Sequence, residues 1–188
     1  MNPAVKLVIL DRDGVVNVDS HHFIKSPAEW KALPGSIEAI ARLNQSGYRV
    51  VIATNQSGIG RGLFDMATLN AINDKMMEQV FRAGGRIDAI FFCPCTAEQH
   101  CHCRKPDTGM FEEIAVRYQV GLAGVPAIGD SLRDLEAAAK VGCLPILVLT
   151  GKGKKTRADG GLPPGTRVFD DLAAATAALI TESARVAA

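Results

Sequence analysis

Apolar residues fall into short unbroken runs that alternate along the chain with stretches of helical spacing. The runs are VKLVIL (Val5–Leu10), YRVVIAT (Tyr48–Thr54), IDAIFFC (Ile87–Cys93), VPAIGD (Val125–Asp130) and PILVLT (Pro145–Thr150). Strands that are apolar on both faces belong in a parallel sheet covered on both sides. Between the first two runs, Ile37, Ile40 and Leu43 recur at helical spacing behind Pro34-Gly35, which predicts a helix over 36–46 capped by Ser36 and closed by Gly47. A second helix is predicted from about Met66 to Ala83, with Asp65 as its cap, Leu69, Ile72, Met76 and Val80 on one stripe, and Gly84-Gly85 at its end. Thr108–Tyr118 and Leu132–Val141 supply two more helices, and Val168-Phe169 with Asp171–Ile180 closes the fold ahead of a tail expected to fray from Thr181. The β-α alternation predicts an α/β fold built on a doubly wound, mainly parallel sheet, with its ligand site beyond the C-terminal strand ends.

No repeat or linker marks a boundary, so residues 1–188 read as one domain. GKGKKTRADGGLPPG (Gly151–Gly165) reads as a solvated basic loop with little claim to be part of a site. At 188 residues the chain can bury about 70% of the surface its unfolded form exposes, and it needs no staple to fold. Lysine and arginine number 21 against 20 acids, a net charge of +1, and aromatics make up 5%, so neither a basic nucleic-acid footprint nor a stacking surface stands out. A small-molecule partner is expected, with no nucleic acid and no membrane, and the chain is expected to be a monomer. The apolar run ahead of Asp11 is too short for a signal-peptide core or a membrane span. A cytoplasmic location is expected, where clustered thiols serve as metal ligands or catalysts more often than as disulfides.

Polar groups stand at each expected strand end: DRDG after the first, TNQSG after the second, a cysteine cluster and CRKPD after the third, and GDSLRD after the fourth. Asp11 and Asp13, two apart, point the same way in an extended segment, and Gly14 lets the chain turn sharply. Paired carboxylates hold their charge best around a hard divalent cation such as Mg2+. A carboxylate can also attack phosphorus while a neighbouring acid moves the proton. Taken alone, the same residues also fit an Asp turn capping a strand. Thr54 and Asn55 can hold phosphoryl oxygens, Lys105 can offset developing charge, and Asp130 with Asp134 can complete a cation site. The plain alternatives are a turn, a solvated lysine and a helix cap with acids in its first turn.

Cys93-x-Cys95, then five residues, then Cys101-x-Cys103 gives two thiolate pairs in one loop, a count that suits a structural Zn2+ with bonds of ~2.3 Å and no open coordination position. Unligated reduced thiols are one alternative, and His100 or His102 in place of a cysteine is another. Cys143, alone in a helix-to-strand turn, reads as core packing.

With DRDG, TN, RKP and GDSLRD in this order, the chain resembles the haloacid dehalogenase-like phosphatase superfamily from Lys6 to about Leu149. The resemblance implies a Rossmann-like fold and Mg2+-dependent phosphoryl transfer. It makes Asp11 the nucleophile and Asp13 the general acid/base, with Thr54 binding the phosphoryl group and Lys105 stabilising it and the nucleophile. Mg2+ would be held by Asp11, the Asp13 backbone carbonyl and Asp130; Asp134 matches the second acid of the last motif, whose role varies. An acid two residues after the nucleophile favours a phosphatase over a dehalogenase, because a phosphate ester's leaving group needs a proton and a halide does not. The zinc loop ahead of Arg-Lys-Pro, together with DRDGVVN, TNQSGIGRG and CRKPDTGM, is similar to a subfamily of sugar-bisphosphate phosphatases. Their ligand set is Cys-x-His followed by Cys-x-Cys, and here Cys95 replaces the histidine. Histidinol-phosphate phosphatases share the fold, loop and motifs and are the nearest alternative. A non-catalytic, zinc-stabilised binding module is the alternative of another class.

Only 41 positions separate Asp13 from Thr54, and 51 separate Thr54 from Lys105, which leaves no room for a large cap domain. Substrate contacts are therefore expected from short loops: Asp19, Ser20, His21 and His22; Asn55, Gln56 and Ser57, ahead of Gly58; and Arg104. The resemblance implies that Arg104 touches the substrate, and its planar fork suits a phosphate that is not cleaved. His21-His22 fits a solvated loop equally well. GIGRG (Gly58–Gly62) has the wrong spacing for a dinucleotide fingerprint.

Overall fold

The computed structural model describes residues 5–187. Among them six strands, β1 (Leu7–Leu10), β2 (Arg49–Asn55), β3 (Ala89–Cys93), β4 (Pro126–Gly129), β5 (Leu144–Val148) and β6 (Arg167–Phe169), form one sheet in the order β3-β2-β1-β4-β5-β6. Every neighbouring pair is parallel. The helices are α1 (Ser36–Gln45), α2 (Ser57–Gly60), α3 (Met66–Arg82), α4 (Gly109–Tyr118), α5 (Leu132–Lys140), α6 (Gly153–Asp159) and α7 (Leu172–Ala187). This is the doubly wound arrangement expected. The strand order reverses between β1 and β4, and a crevice opens at that point beyond their C-terminal ends.

Burial on both faces accounts for the unbroken apolar runs. Val8 and Leu10 of β1 pack with Ile40 of α1, Ile72 and Met76 of α3, and Leu172 of α7. Leu7 and Ile9 face the opposite layer, with Met110 and Ile114 of α4 and Ala137 of α5. Cys143 is buried in this second layer, as its packing reading requires.

Asp65 caps α3 by accepting from the Thr68 amide at 2.8 Å, as expected. Ser36 does not cap α1. Gly35, in the left-handed region at φ 74°, is the N-cap, and the Ser36 hydroxyl turns inward to the carbonyls of Val16 (2.6 Å) and Leu33 (2.9 Å). It thereby ties down segment 11–35, the stretch between β1 and α1 that forms one wall of the crevice. Trp30, fully buried, anchors the same segment, and the Lys75 ammonium donates to the carbonyls of Pro27 (2.6 Å) and Trp30 (2.9 Å). Among the described residues, no inserted cap domain interrupts these connections.

Two further expectations fail. Gly151–Gly165 is not all loop: its basic run forms α6, held by the buried Thr156 hydroxyl, which donates to the Asp130 carbonyl at 2.8 Å. The chain does not fray at Thr181, because α7 continues to Ala187 and Glu182 accepts both guanidinium arms of Arg167 at 2.8 and 2.5 Å. Among the described residues, no helix is long and apolar enough to cross a membrane.

Candidate active site

A cleft of about 260 Å3 opens where the ends of β1, β2 and β4 meet the loop after β3. Asp11, Asp13, Thr54, Lys105, Asp130 and Asp134 all line it, although they come from four separate motifs. Lys105, buried, is the hub. Its ammonium donates to Asp11 Oδ1 at 3.0 Å and to the Ala53 carbonyl at 2.7 Å, and pairs with Asp134 Oδ1 at 2.7 Å. Asn55 fixes the Lys105 peptide from both sides: its Nδ2 donates to the Lys105 carbonyl at 3.0 Å, and its Oδ1 accepts from the Lys105 amide at 3.1 Å. That clamp joins the second motif to the third. Asp134 also accepts from the Ser131 amide (3.0 Å) and hydroxyl (2.6 Å), closing the cap of α5.

Carboxylate oxygens of Asp11, Asp130 and Asp134 lie within 4.8 Å of one another. Burial, the charges of Asp134 and Asp13, and only partial relief from Lys105 push Asp11 up to about 6. Burial, with Asp11 and Asp134 nearby, pushes Asp130 up to about 8. Acids so short of positive charge are a fitting donor set for a hard divalent cation. The backbone leaves room for the arrangement: a Cβ on Gly14 would stand 2.0 Å from Asp130 Oδ2, and one on Gly151 would stand 2.2 Å from it.

The Asp13 side chain stands apart from this cluster. Its Oδ1 accepts from Asn17 Nδ2 at 2.9 Å and Arg12 Nε at 3.2 Å, and its Oδ2 accepts from Gln56 Nε2 at 2.9 Å and Arg12 Nη2 at 3.2 Å. Burial opposes ionisation, but the Arg12 charge and these bonds hold the carboxyl below its ordinary range.

Of the residues expected at the substrate, Asp19, Ser20, His21, Asn55, Gln56, Ser57 and Arg104 line the cleft. His22 does not. It is exposed, its amide donating to Ser20 Oγ at 3.1 Å and its carbonyl accepting from Lys25 at 2.6 Å, so the loop turns it outward. Lining residues without a sequence signal are Phe23, Ile24, Arg133 and Lys152. Lys152 belongs to the basic run given little weight above. Its ammonium pairs with Asp19, and its backbone amide donates to Asp130 Oδ2 at 2.8 Å. Together with Lys105, the side chains of Arg104, Arg133 and Lys152 give the cleft four cations beside its acids.

The four loop cysteines converge next to the cleft. Sulfurs of Cys93, Cys95 and Cys103 lie within 4.8 Å of one another, and those of Cys93 and Cys103 are 2.7 Å apart. Cys95 and Cys101 form a disulfide. The set expected as four thiolates therefore stands as one disulfide and one close thiol pair, since sulfurs gathered at one point are near enough to bond. Among the described residues neither histidine joins them, and His102 turns to Glu112, 2.9 Å away. The Cys95 carbonyl accepts from Arg104 Nη1 at 2.9 Å, which links the loop to the cleft.

Fold and site together define a haloacid dehalogenase-like phosphatase. A HAD-hydrolase-like family model matches residues 102–175, and a polynucleotide kinase 3 phosphatase model matches residues 6–127. The D-glycero-beta-D-manno-heptose-1,7-bisphosphate 7-phosphatase of Bordetella bronchiseptica is 63% identical over 179 residues, covering 95% of this chain and 100% of that one. The enzyme of the same name from Pseudomonas aeruginosa is 51% identical over 174 residues, 93% of this chain and 97% of that one. The crystal structure of the B. bronchiseptica D,D-heptose 1,7-bisphosphate phosphatase, complexed with magnesium and phosphate, aligns with a TM-score of 0.94 over 95% of this chain and 99% of that one. The chain belongs to the family of D-glycero-beta-D-manno-heptose-1,7-bisphosphate 7-phosphatases.

Proposed function

We propose that the protein removes the C7 phosphate of D-glycero-D-manno-heptose 1,7-bisphosphate, in the cytoplasm, on the route to ADP-heptose and lipopolysaccharide. The carrying observation is the meeting of all four motifs at one point, with Lys105 Nζ 3.0 Å from Asp11 Oδ1 and 2.7 Å from Asp134 Oδ1. In the first step an Asp11 oxygen bonds to phosphorus as the bond from phosphorus to the sugar oxygen breaks. The sugar oxygen keeps that electron pair and takes a proton from Asp13. In the second step water attacks the aspartyl phosphate and gives Asp13 its proton, and Asp11 leaves with the electron pair of its phosphorus–oxygen bond. Lys105 and the Thr54 hydroxyl stabilise the charge on the phosphoryl oxygens.

Asp11, Asp130 and the backbone carbonyl of Asp13 would hold Mg2+, with Asp134 held by Lys105 beside them. When bound, the cation supplies Lewis-acid stabilisation of the phosphoryl group. The cysteine loop, when reduced, would hold a structural Zn2+ through Cys93, Cys95, Cys101 and Cys103, four sulfurs already gathered in one place.

The cations Arg104, Arg133 and Lys152 favour a substrate with a second anionic group over histidinol phosphate, whose far end is an ammonium. Side-by-side hydrolysis of heptose 1,7-bisphosphate and histidinol phosphate in Mg2+ tests the reading. Turnover of the bisphosphate with loss of one phosphate is expected, abolished in Asp11→Asn. Preference for histidinol phosphate would overturn the substrate, and phosphate release from neither would overturn the enzyme.

A further inference from the structure

Asp13 lies among polar groups to which the mechanism above gives no part. Arg12 is fully buried, and its guanidinium reaches Asp13, Asn73 Oδ1 (3.4 Å) and Gln56 Oε1 (3.0 Å). Gln56, 4% exposed, was expected to meet the substrate, yet its amide is committed inward. Its Nε2 donates to Asp13 Oδ2 at 2.9 Å and to Thr54 Oγ1 at 2.9 Å. Chemistry permits only one orientation of this amide. A guanidinium only donates, so the amide oxygen must face Arg12, which leaves the nitrogen for Asp13 Oδ2.

Two consequences follow for the reaction. Thr54 Oγ1, accepting from Gln56, keeps its own hydrogen free for a phosphoryl oxygen in the cleft. Asp13 is held on Oδ2 by Gln56 and on Oδ1 by Asn17, so these two amides set where its carboxyl stands at the edge of the cleft. Side-chain amides seated on a buried, fixed cation are preorganised in a way that mobile water is not.

We propose that Gln56, seated by buried Arg12, is a positioning residue that aims Asp13 at the leaving-group oxygen and the Thr54 hydroxyl at the phosphoryl group. The proposal rests on the phosphatase reading in which Asp13 donates the proton, and it adds the device that aims the donor. It separates from a merely structural role by leaving-group chemistry. A sugar oxygen must be protonated as it departs, whereas p-nitrophenolate leaves as a stable anion. Precise aim of Asp13 therefore matters for the first and hardly for the second.

The experiment compares kcat/KM, which reports formation of the phosphoenzyme, for heptose 1,7-bisphosphate and p-nitrophenyl phosphate in Gln56→Met. General acids contribute ~10²–10⁴-fold, so misaiming should cost the sugar bisphosphate at least about tenfold more than p-nitrophenyl phosphate. Equal losses on the two substrates would overturn the proposal. Should Gln56→Met fail to fold, Gln56→Asn keeps the amide but is one methylene too short to reach both partners, and must give the same split. Asp13→Asn run alongside keeps the two ideas apart. A split there with none in the Gln56 variant overturns the positioning role alone. No split in either overturns Asp13 as the acid, and the positioning role with it.

Discussion

The carboxylate of Asp130 occupies space that a side chain on Gly14 or Gly151 would fill, and both glycines adopt positive φ, 83° and 54°. In Gly14→Ala the new Cβ meets Asp130 Oδ2 at 2.0 Å and the backbone is strained as well. We expect kcat/KM to fall by ~100-fold or more as Asp130 is displaced, the scale of a lost cation contact, and the Mg2+ needed for half-maximal rate to rise. A Mg2+ titration of the steady-state rate checks this, and wild-type behaviour would show that the close approach is dispensable. Gly14 was legible because it follows two acids at a strand end. Gly151 and Lys152 were not, since a glycine-lysine run looks like any solvated loop until folding brings it against Asp130. Arg12 was equally hidden. Nothing in D-R-D marks the arginine as buried, because its partners Gln56 and Asn73 lie 44 and 61 positions away.

At the scale of elements, legibility followed two-sided burial. Strands β1, β2, β4 and β5 announced themselves because their apolar residues divide between the two core layers, one on each face of the sheet. Helix α2, four residues of Ser-Gly-Ile-Gly, and the lysine-rich α6 carry no apolar stripe and were missed, for tertiary contacts hold them and not periodicity. The cysteine loop was legible as a cluster. Protein purified in reductant is expected to carry about one Zn2+ per chain by metal analysis. Cys101→Ser should lower that content and the melting temperature. It should also weaken substrate binding, because Arg104 hangs from the Cys95 carbonyl at 2.9 Å. Reduced protein free of zinc would overturn the loop's assignment.

At the scale of the whole molecule, the acids of the cleft tie stability to pH and magnesium. Asp11 and Asp130 are pushed up from 3.8 to about 6 and about 8, so the folded state keeps protons that the unfolded chain releases. Their contribution is fully present below about pH 4 and is lost as pH rises towards 8, by up to about 1.4 kcal/mol per pH unit for each proton. Mg2+ offsets the exposed charge and competes with those protons, so its stabilising effect should grow with pH. Scanning calorimetry at pH 5 and pH 8, with and without Mg2+, is expected to show the larger rise in melting temperature at pH 8. An equal rise at both would separate these acids from the cation. The sheet order placed the crevice where the motifs led one to look, but the seat of Asp130 is completed from the far end of the chain. Every motif lies within the first 134 residues, while Gly151 and the Lys152 amide arrive only after β5. A growing polypeptide should thus acquire function late. Until residue 152 has left the ribosome and docked, a nascent fragment holding all the reactive groups should be silent towards phosphate esters.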